Sequence, residues 1–410
     1  MAVNLNLAPA FPVAGVELAT LNAGLKKDGS PDMVLVRLAE TASTAAVFTQ
    51  SAFAAAPVIL GRRHMSSNEG CVRALLVNSG NANAGTGEPG LIMAQGHCEA
   101  LATALEIPVN AVLPFSTGVI GQLLPDDVMK QGIEKAVSDL NDSSCSSLAH
   151  WQGAAQGIMT TDTHPKITSR KVEINGQLVT VTGMAKGAGM IQPNMATMLS
   201  YVFTDARVAY SDLEPLLKDA VDVSFNAITV DSDTSTNDSV VLVASGSNVA
   251  LDPTHAQWDS FKNAVTQVCL ELAQGIIRDA EGATKFISVN VNSGRTVAEC
   301  KAVGYAIANS PLVKTAMFAS DANVGRLLMA IGKADVSDLD ASLVTVSLGD
   351  VIAFEKAGIA QGYSEERGAA VMAKDEIDVT VDLARGRASA TIYTCDLSHD
   401  YVSINADYRS

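Results

Sequence analysis

Aromatic residues make up only 5% of this 410-residue chain, and charged residues only 18%. The first scarcity favours close backbone packing over an aromatic binding face. The second, beside 48% hydrophobic residues, excludes a disordered chain and provides for a large core. Basic residues are the scarcer sign, 28 against 44 acidic, for a net charge of −16. A field of that sign repels polyanions, so nucleic acid is excluded as an expected partner. No segment approaches an uninterrupted apolar run of membrane-spanning length, and Met1 to Leu7 lacks a basic stretch leading into a long apolar one. No membrane partner and a cytoplasmic location are therefore expected. The six cysteines (Cys71, Cys98, Cys145, Cys269, Cys300 and Cys395) contain no CxxC pair, and the six histidines are as scattered. Neither set has metal-ligand spacing, so reduced thiols and no bound metal are expected.

The length suggests two or three compact units. Short β-like runs open the chain, at Met33 to Leu38, Ala45 to Thr49 and Arg73 to Val77. The last of these enters a loop of small residues, Asn78 to Gly87, which can bring backbone N–H groups close to a ligand. Leu91 to Leu105 reads as a helix ended by Pro108, and Val112 to Phe115 as a strand running into a turn, Ser116 to Gly121. Asp126 to Leu140 has helical periodicity, with Pro125 as its start signal. Asn175-Gly176 marks a hairpin within Lys171 to Thr182. Met198 to Phe203 is strongly apolar; Asp212 to Val223 and Trp258 to Ile277 are helical, and strands and helices alternate beyond Lys285. The expected class is mixed α/β, with many short strands feeding sheets covered by helices.

One stretch carries chemistry. Lys186-Gly187-Ala188-Gly189-Met190-Ile191-Gln192-Pro193-Asn194-Met195-Ala196-Thr197 exposes backbone at its glycines, turns at Pro193-Asn194 and delivers a threonine to the head of an apolar strand. A threonine is a poor nucleophile unless something takes its proton. No histidine lies near these loops. One base needs no histidine: an N-terminal α-amine, whose pKa is about 7.7–8.0. It sits on the nucleophile's own residue, and exists only if the bond before Thr197 is broken. Acyl transfer also needs donors for the developing oxyanion, and Thr117-Gly118, in a turn after a strand, could supply a hydroxyl and an N–H.

With these segments, Met159 to Thr163, Ser224 to Asp238 and Leu312 to Ala316 complete a pattern that resembles the ornithine acetyltransferase, or glutamate N-acetyltransferase, family. The resemblance covers essentially the whole chain and is most specific over Lys186 to Leu199. It implies self-cleavage between Ala196 and Thr197 into an α chain and a β chain, with Thr197 as nucleophile and Thr117 and Gly118 as the oxyanion pair. Acetyl would pass from N-acetyl-L-ornithine to Thr197 and then to L-glutamate, a ping-pong cycle of arginine biosynthesis. Substrate-binding positions fall on Thr160, Lys186, Thr197, Glu281, Asn405 and Ser410. Lys186 would meet a carboxylate, and Glu281 the ornithine ammonium or a proton in transit.

The fold implied is an αββα sandwich of two sheets between helices, with a smaller α/β domain. Residues 1–285 would form the main domain and 286–395 the smaller one, while a tail over 396–410 returns to the site. An α₂β₂ heterotetramer is implied and no cofactor. Acetyl-CoA stays open as a second donor, because no phosphate-cradling motif is visible. An N-terminal-nucleophile amidase or aminopeptidase of related architecture is the alternative. Asp231, Asp233 and Asp238 faintly resemble a calcium loop but lack its glycine and bidentate glutamate; a polar loop with Asx-type turns that supports the site is expected instead. The chain departs from the family pattern at Val324, where tryptophan is common, and at Ser410, where threonine is common.

Overall fold

The Asn175-Gly176 pair does what its residue types dictate. Both take left-handed backbone (φ 51° and 77°), closing a two-residue turn that sets Ile174 opposite Gln177 and fixes the register of the whole hairpin. The computed structural model describes residues 2–141, 145–192 and 198–406. Its elements run β1 (Val16–Leu21), β2 (Met33–Leu38), β3 (Ser43–Phe48), α1 (Ala56–Asn68), β4 (Ala74–Asn81), α2 (Gly87–Leu105), β5 (Val112–Val119), α3 (Asp126–Leu140) and α4 (Leu148–Gly157). The hairpin of β6 (Lys166–Ile174) and β7 (Gln177–Lys186) follows, then β8 (Leu199–Thr204), α5 (Tyr210–Asp222), β9 (Ser239–Ala244) and α6 (Trp258–Arg278). The remainder is β10 (Phe286–Gly294), α7 (Val297–Ala308), α8 (Pro311–Phe318), α9 (Val324–Gly332), β11 (Thr345–Leu348), β12 (Val351–Glu355), β13 (Gly358–Ile359), α10 (Glu365–Met372), β14 (Glu376–Asp382), β15 (Ala388–Cys395) and α11 (His399–Ala406).

Alternation sorts the side chains into layers. One sheet has the order β1-β2-β4-β5 and the second β3-β9-β8-β7-β6. In β2, Val34 and Val36 point between the sheets, where they meet Tyr201, Phe203, Val241 and Val243 from β8 and β9. Their neighbours Met33 and Leu35 face outward, under α2 and α3. On the far side Val240 and Leu242 pack beneath α5 and α6. Two edge-to-face aromatic pairs cross the sandwich, Phe115–Tyr201 and Trp151–Phe203, each with centroids 5.2 Å apart. The αββα expectation describes this arrangement. A third sheet, ordered β13-β12-β11-β14-β10-β15, buries one face under α7 to α10 in a core of its own.

Local boundaries differ in instructive ways. α3 keeps the expected bounds, Asp126 to Leu140 with Pro125 before its first turn, but other elements shift. The helix expected from Leu91 starts at Gly87. The turn expected at Ser116 to Gly121 is strand as far as Val119, because parallel pairing with β4 carries β5 four residues further than its apolar run. β4 likewise absorbs Asn78 to Asn81 from the expected loop. All five of Cys98, Cys145, Cys269, Cys300 and Cys395 are buried, Cys71 is exposed, and no disulfide joins any of the six.

Candidate active site

The site forms where the ends of β5 and β7 meet the loops before β9 and α11. Thr117 and Gly118 lie opposite Ser79 and Gly80 in the parallel β4–β5 pair. Gly118 has φ 132°, and a Cβ there would fall 2.3 Å from the Gly80 carbonyl carbon, so no other residue fits without moving that strand. Asn237 fixes the same corner from the second sheet: its Nδ2 donates to the carbonyls of Ala82 at 2.6 Å and Ser116 at 2.8 Å. The Ser116 bond holds the peptide directly before Thr117.

Thr117, Gly118, Thr160, Lys186, Glu281 and Asn405 all line one cleft of about 120 Å³, shared with Met190 and Asp238. Thr197, Ala196 and Ser410 lie outside the described residues. Lys186 ends β7 opposite Leu199, which opens β8, and its Nζ lies 3.5 Å from the Thr160 hydroxyl. Burial pulls the Lys186 ammonium below the usual lysine range, while Asp162, Asp238 and Glu281 act to keep it charged. Glu281 is itself buried, against the surface position its residue type suggests. Its backbone N–H donates to Ala188 O at 2.9 Å, and its Oε2 accepts from Asn405 Nδ2 at 2.7 Å. A Cβ on Gly189 would sit 2.4 Å from the same Oε2, so that glycine admits the carboxylate to the cleft. Asn405 belongs to α11, which the Ser398 hydroxyl pins beside this loop by donating to Gly282 O at 2.6 Å.

A family model for ArgJ matches residues 17–410. This chain belongs to the ArgJ family. The arginine biosynthesis bifunctional protein ArgJ of Pseudomonas syringae pv. tomato is 51% identical over 414 positions spanning the whole of both chains. Its counterpart in Pseudomonas fluorescens is 49% identical over the same span. A crystal structure of the arginine biosynthesis bifunctional protein argJ from Bacillus halodurans is 39% identical, covers 51% of this chain and 99% of that one, and superposes with a TM-score of 0.49.

Behind the ArgJ cleft lies a group of residues that sequence reasoning missed. Lys166 is fully buried, and its Nζ bonds Asp162 Oδ1 and Asp279 Oδ2, each at 2.6 Å. Asp162 also accepts from Gly187 N at 2.7 Å and Thr160 N at 3.0 Å; Asp279 accepts from the N–H groups of Thr163 and His164 and from the Thr163 hydroxyl. One ammonium thus sets the loop that carries Thr160 and the backbone next to Lys186. Asp162 did fall inside the segment Met159 to Thr163, but its four-residue spacing to Lys166 reads in sequence as a surface pair.

Burial pushes the Asp162 carboxyl up, but Lys166, Lys186 and the Gly187 N–H together bring it down to about 2, from 3.8. A depressed carboxyl stabilises the fold above its unfolded pKa, and that stability is lost as pH falls through the folded value. The shift corresponds to about 2 kcal/mol. Asp162→Asn should therefore be less stable than wild type at neutral pH. Urea midpoints of the two proteins, followed downward, should converge between about pH 4 and pH 2.

The loop at Asp231 to Asp238 matches its expected supporting role in form. It makes an Asx-type bond within itself, Asp233 N to Asp231 Oδ1 at 3.3 Å, and bonds across to Met190 to Gln192 at one end and, through Asn237, to Ala82 and Ser116 at the other. Among the described residues no cluster has the make-up of a metal site, and no helix is long and apolar enough to cross a membrane. Asn323 caps α9 through Arg326 N at 3.2 Å, and the divergent Val324 is buried beside it.

Proposed function

We propose that this chain transfers acetyl from N-acetyl-L-ornithine to L-glutamate through an ester on Thr197, as an enzyme of arginine biosynthesis. The observation that carries the reading is the single cleft holding Thr117, Gly118, Thr160, Lys186, Glu281 and Asn405. Membership of the ArgJ family favours transfer over the hydrolase alternative.

The chain first frees its own nucleophile. The Thr197 hydroxyl adds to the Ala196 carbonyl, the C–N bond breaks and the new amine keeps the hydroxyl's proton. Water then hydrolyses the resulting ester, restoring the hydroxyl and leaving chains of residues 1–196 and 197–410. In transfer, the Thr197 amine takes the hydroxyl proton as Oγ attacks the acetyl carbonyl. Thr117 Oγ and the Gly118 N–H stabilise the oxyanion. Ornithine leaves with that proton on its α-nitrogen. The α-amine of glutamate then attacks the ester, and N-acetylglutamate departs as Thr197 recovers its proton. Lys186 holds the α-carboxylate common to both amino acids, with Thr160 and Asn405 flanking it. Glu281 faces the ornithine ammonium.

Thr117→Ala tests the oxyanion assignment. Transfer should fall by about 10²–10³, with the melting temperature unchanged. Transfer at the wild-type rate would remove Thr117 from the mechanism. Acetyl-CoA is proposed as a second donor to glutamate, in keeping with the bifunctional relatives. Purified enzyme given acetyl-CoA and glutamate should form N-acetylglutamate, and no product above background would refute the second activity. The two chains are proposed to remain together as an α₂β₂ assembly in the cytoplasm, with residues 1–285 as the main domain. Mixing acetylornithine and glutamate, with N-terminal sequencing of the fragments, tests the whole reading: one persistent uncut chain, or acetate without N-acetylglutamate, would overturn it.

A further inference from the structure

Met190, Ile191 and Gln192 are held by hydrogen bonds from residues that follow Thr197 in the chain. Met190 takes left-handed backbone, φ 56°, which a side chain with a Cβ rarely adopts unless its surroundings impose it. Asp231 imposes it. Its Oδ2 accepts from Met190 N at 2.6 Å and its Oδ1 from Ile191 N at 2.8 Å. Val230 N donates to Ile191 O at 2.7 Å, Gln192 N donates to Asp233 O at 3.0 Å, and the Thr234 hydroxyl donates to Gln192 O at 3.0 Å. Asn309 Nδ2 takes the Gln192 side chain at 2.6 Å. The Tyr401 hydroxyl of α11 closes the set by donating to Asp231 Oδ2 at 3.0 Å.

Every partner named lies C-terminal to Thr197, and every residue held lies N-terminal to it. A carboxylate that accepts two adjacent backbone N–H groups is a strong and orienting contact. We infer that Asp231, braced by Tyr401, is a positioning residue for self-cleavage: it clamps Met190 to Gln192, the backbone that leads toward the proposed cut, onto the part of the chain that follows Thr197. The same bonds keep the new end of the first chain on the second after the cut. This rests on the proposed cleavage at Thr197, and it gives the Asp231 to Thr234 loop a task in maturation. Tyr401 links that task to α11, the helix that also carries Asn405 into the cleft.

The test follows cleavage itself. Freshly purified wild type, Asp231→Ala, Asp231→Asn and Tyr401→Phe are incubated, and uncut chain is measured by intact mass over time. Asp231→Ala should slow cleavage by at least tenfold. Asp231→Asn keeps one acceptor oxygen and should recover part of the rate, and Tyr401→Phe should slow it a few-fold. Val346→Ala, in the buried core of the third sheet, serves as a control that lowers the melting temperature without touching the clamp, and it should cut at the wild-type rate. Asp231→Ala cutting as fast as wild type, or Val346→Ala slowed as much as Asp231→Ala, would overturn the inference. A wild type that never cuts would instead overturn the proposed cleavage.

Discussion

Thr197→Ala should persist as one polypeptide of 42.6 kDa and lose acetyl transfer by roughly 10⁴-fold or more, the scale seen when a catalytic nucleophile is removed. The two losses have one cause. In the proposed mechanism the hydroxyl opens the peptide bond before it, and only that opening creates the α-amine that would later serve as its base. Thr197→Ser separates the steps. It keeps the hydroxyl and should therefore cut and transfer, at reduced rates, since serine lacks the β-methyl that restricts the threonine rotamer. Intact mass and the acetylornithine–glutamate assay read both outcomes. Two chains from Thr197→Ala, or transfer by its uncut form, would refute the assignment.

Lys166→Met should have the largest effect on stability. It leaves Asp162 and Asp279 buried and facing each other with no cation between them, a loss of about 3–5 kcal/mol. The melting temperature should drop by about 5 °C. Transfer by the remaining folded protein should fall as well, because the two carboxylates hold Thr160 N, Thr163 N and Gly187 N around Lys186. Replacing the group together, as Asp162→Asn, Lys166→Met and Asp279→Asn, should recover much of the stability but not the transfer rate. Desolvated charge is then gone, while the charge that acts on Lys186 is not restored. Thermal scans of the single and triple variants check the first part; a single variant as stable as wild type would show the group to be dispensable.

Much of the frame is legible along the chain because it depends on neighbours in sequence. The β6–β7 hairpin follows from Asn175-Gly176 and α3 from its periodicity between Asp126 and Leu140, whereas β2 and β9 are apolar on both faces, so only the fold shows which layer each of their residues joins. The site was legible in a different way. Six positions named from motif resemblance converge on one cleft, although Asn405 and Glu281 stand 124 residues apart. Spacing alone could not have paired them, since nothing local in either segment encodes the other.

The sequence by itself pointed to the nucleophile and base proposed for this chain. With no histidine near Lys186 to Thr197, the only base that chemistry offers is the amine that cleavage releases, and both belong to a single residue. Tertiary structure decided how the other candidate residues are arranged. It placed Thr117 and Gly118 in a strand instead of a turn, because pairing with β4 outweighs the local glycine signal. It buried Glu281 behind the gap left by Gly189, and it enclosed Lys166 between carboxylates 4 and 113 residues away. Backbone preference is set within a few residues, but burial and electrostatics are set by whatever the fold brings alongside.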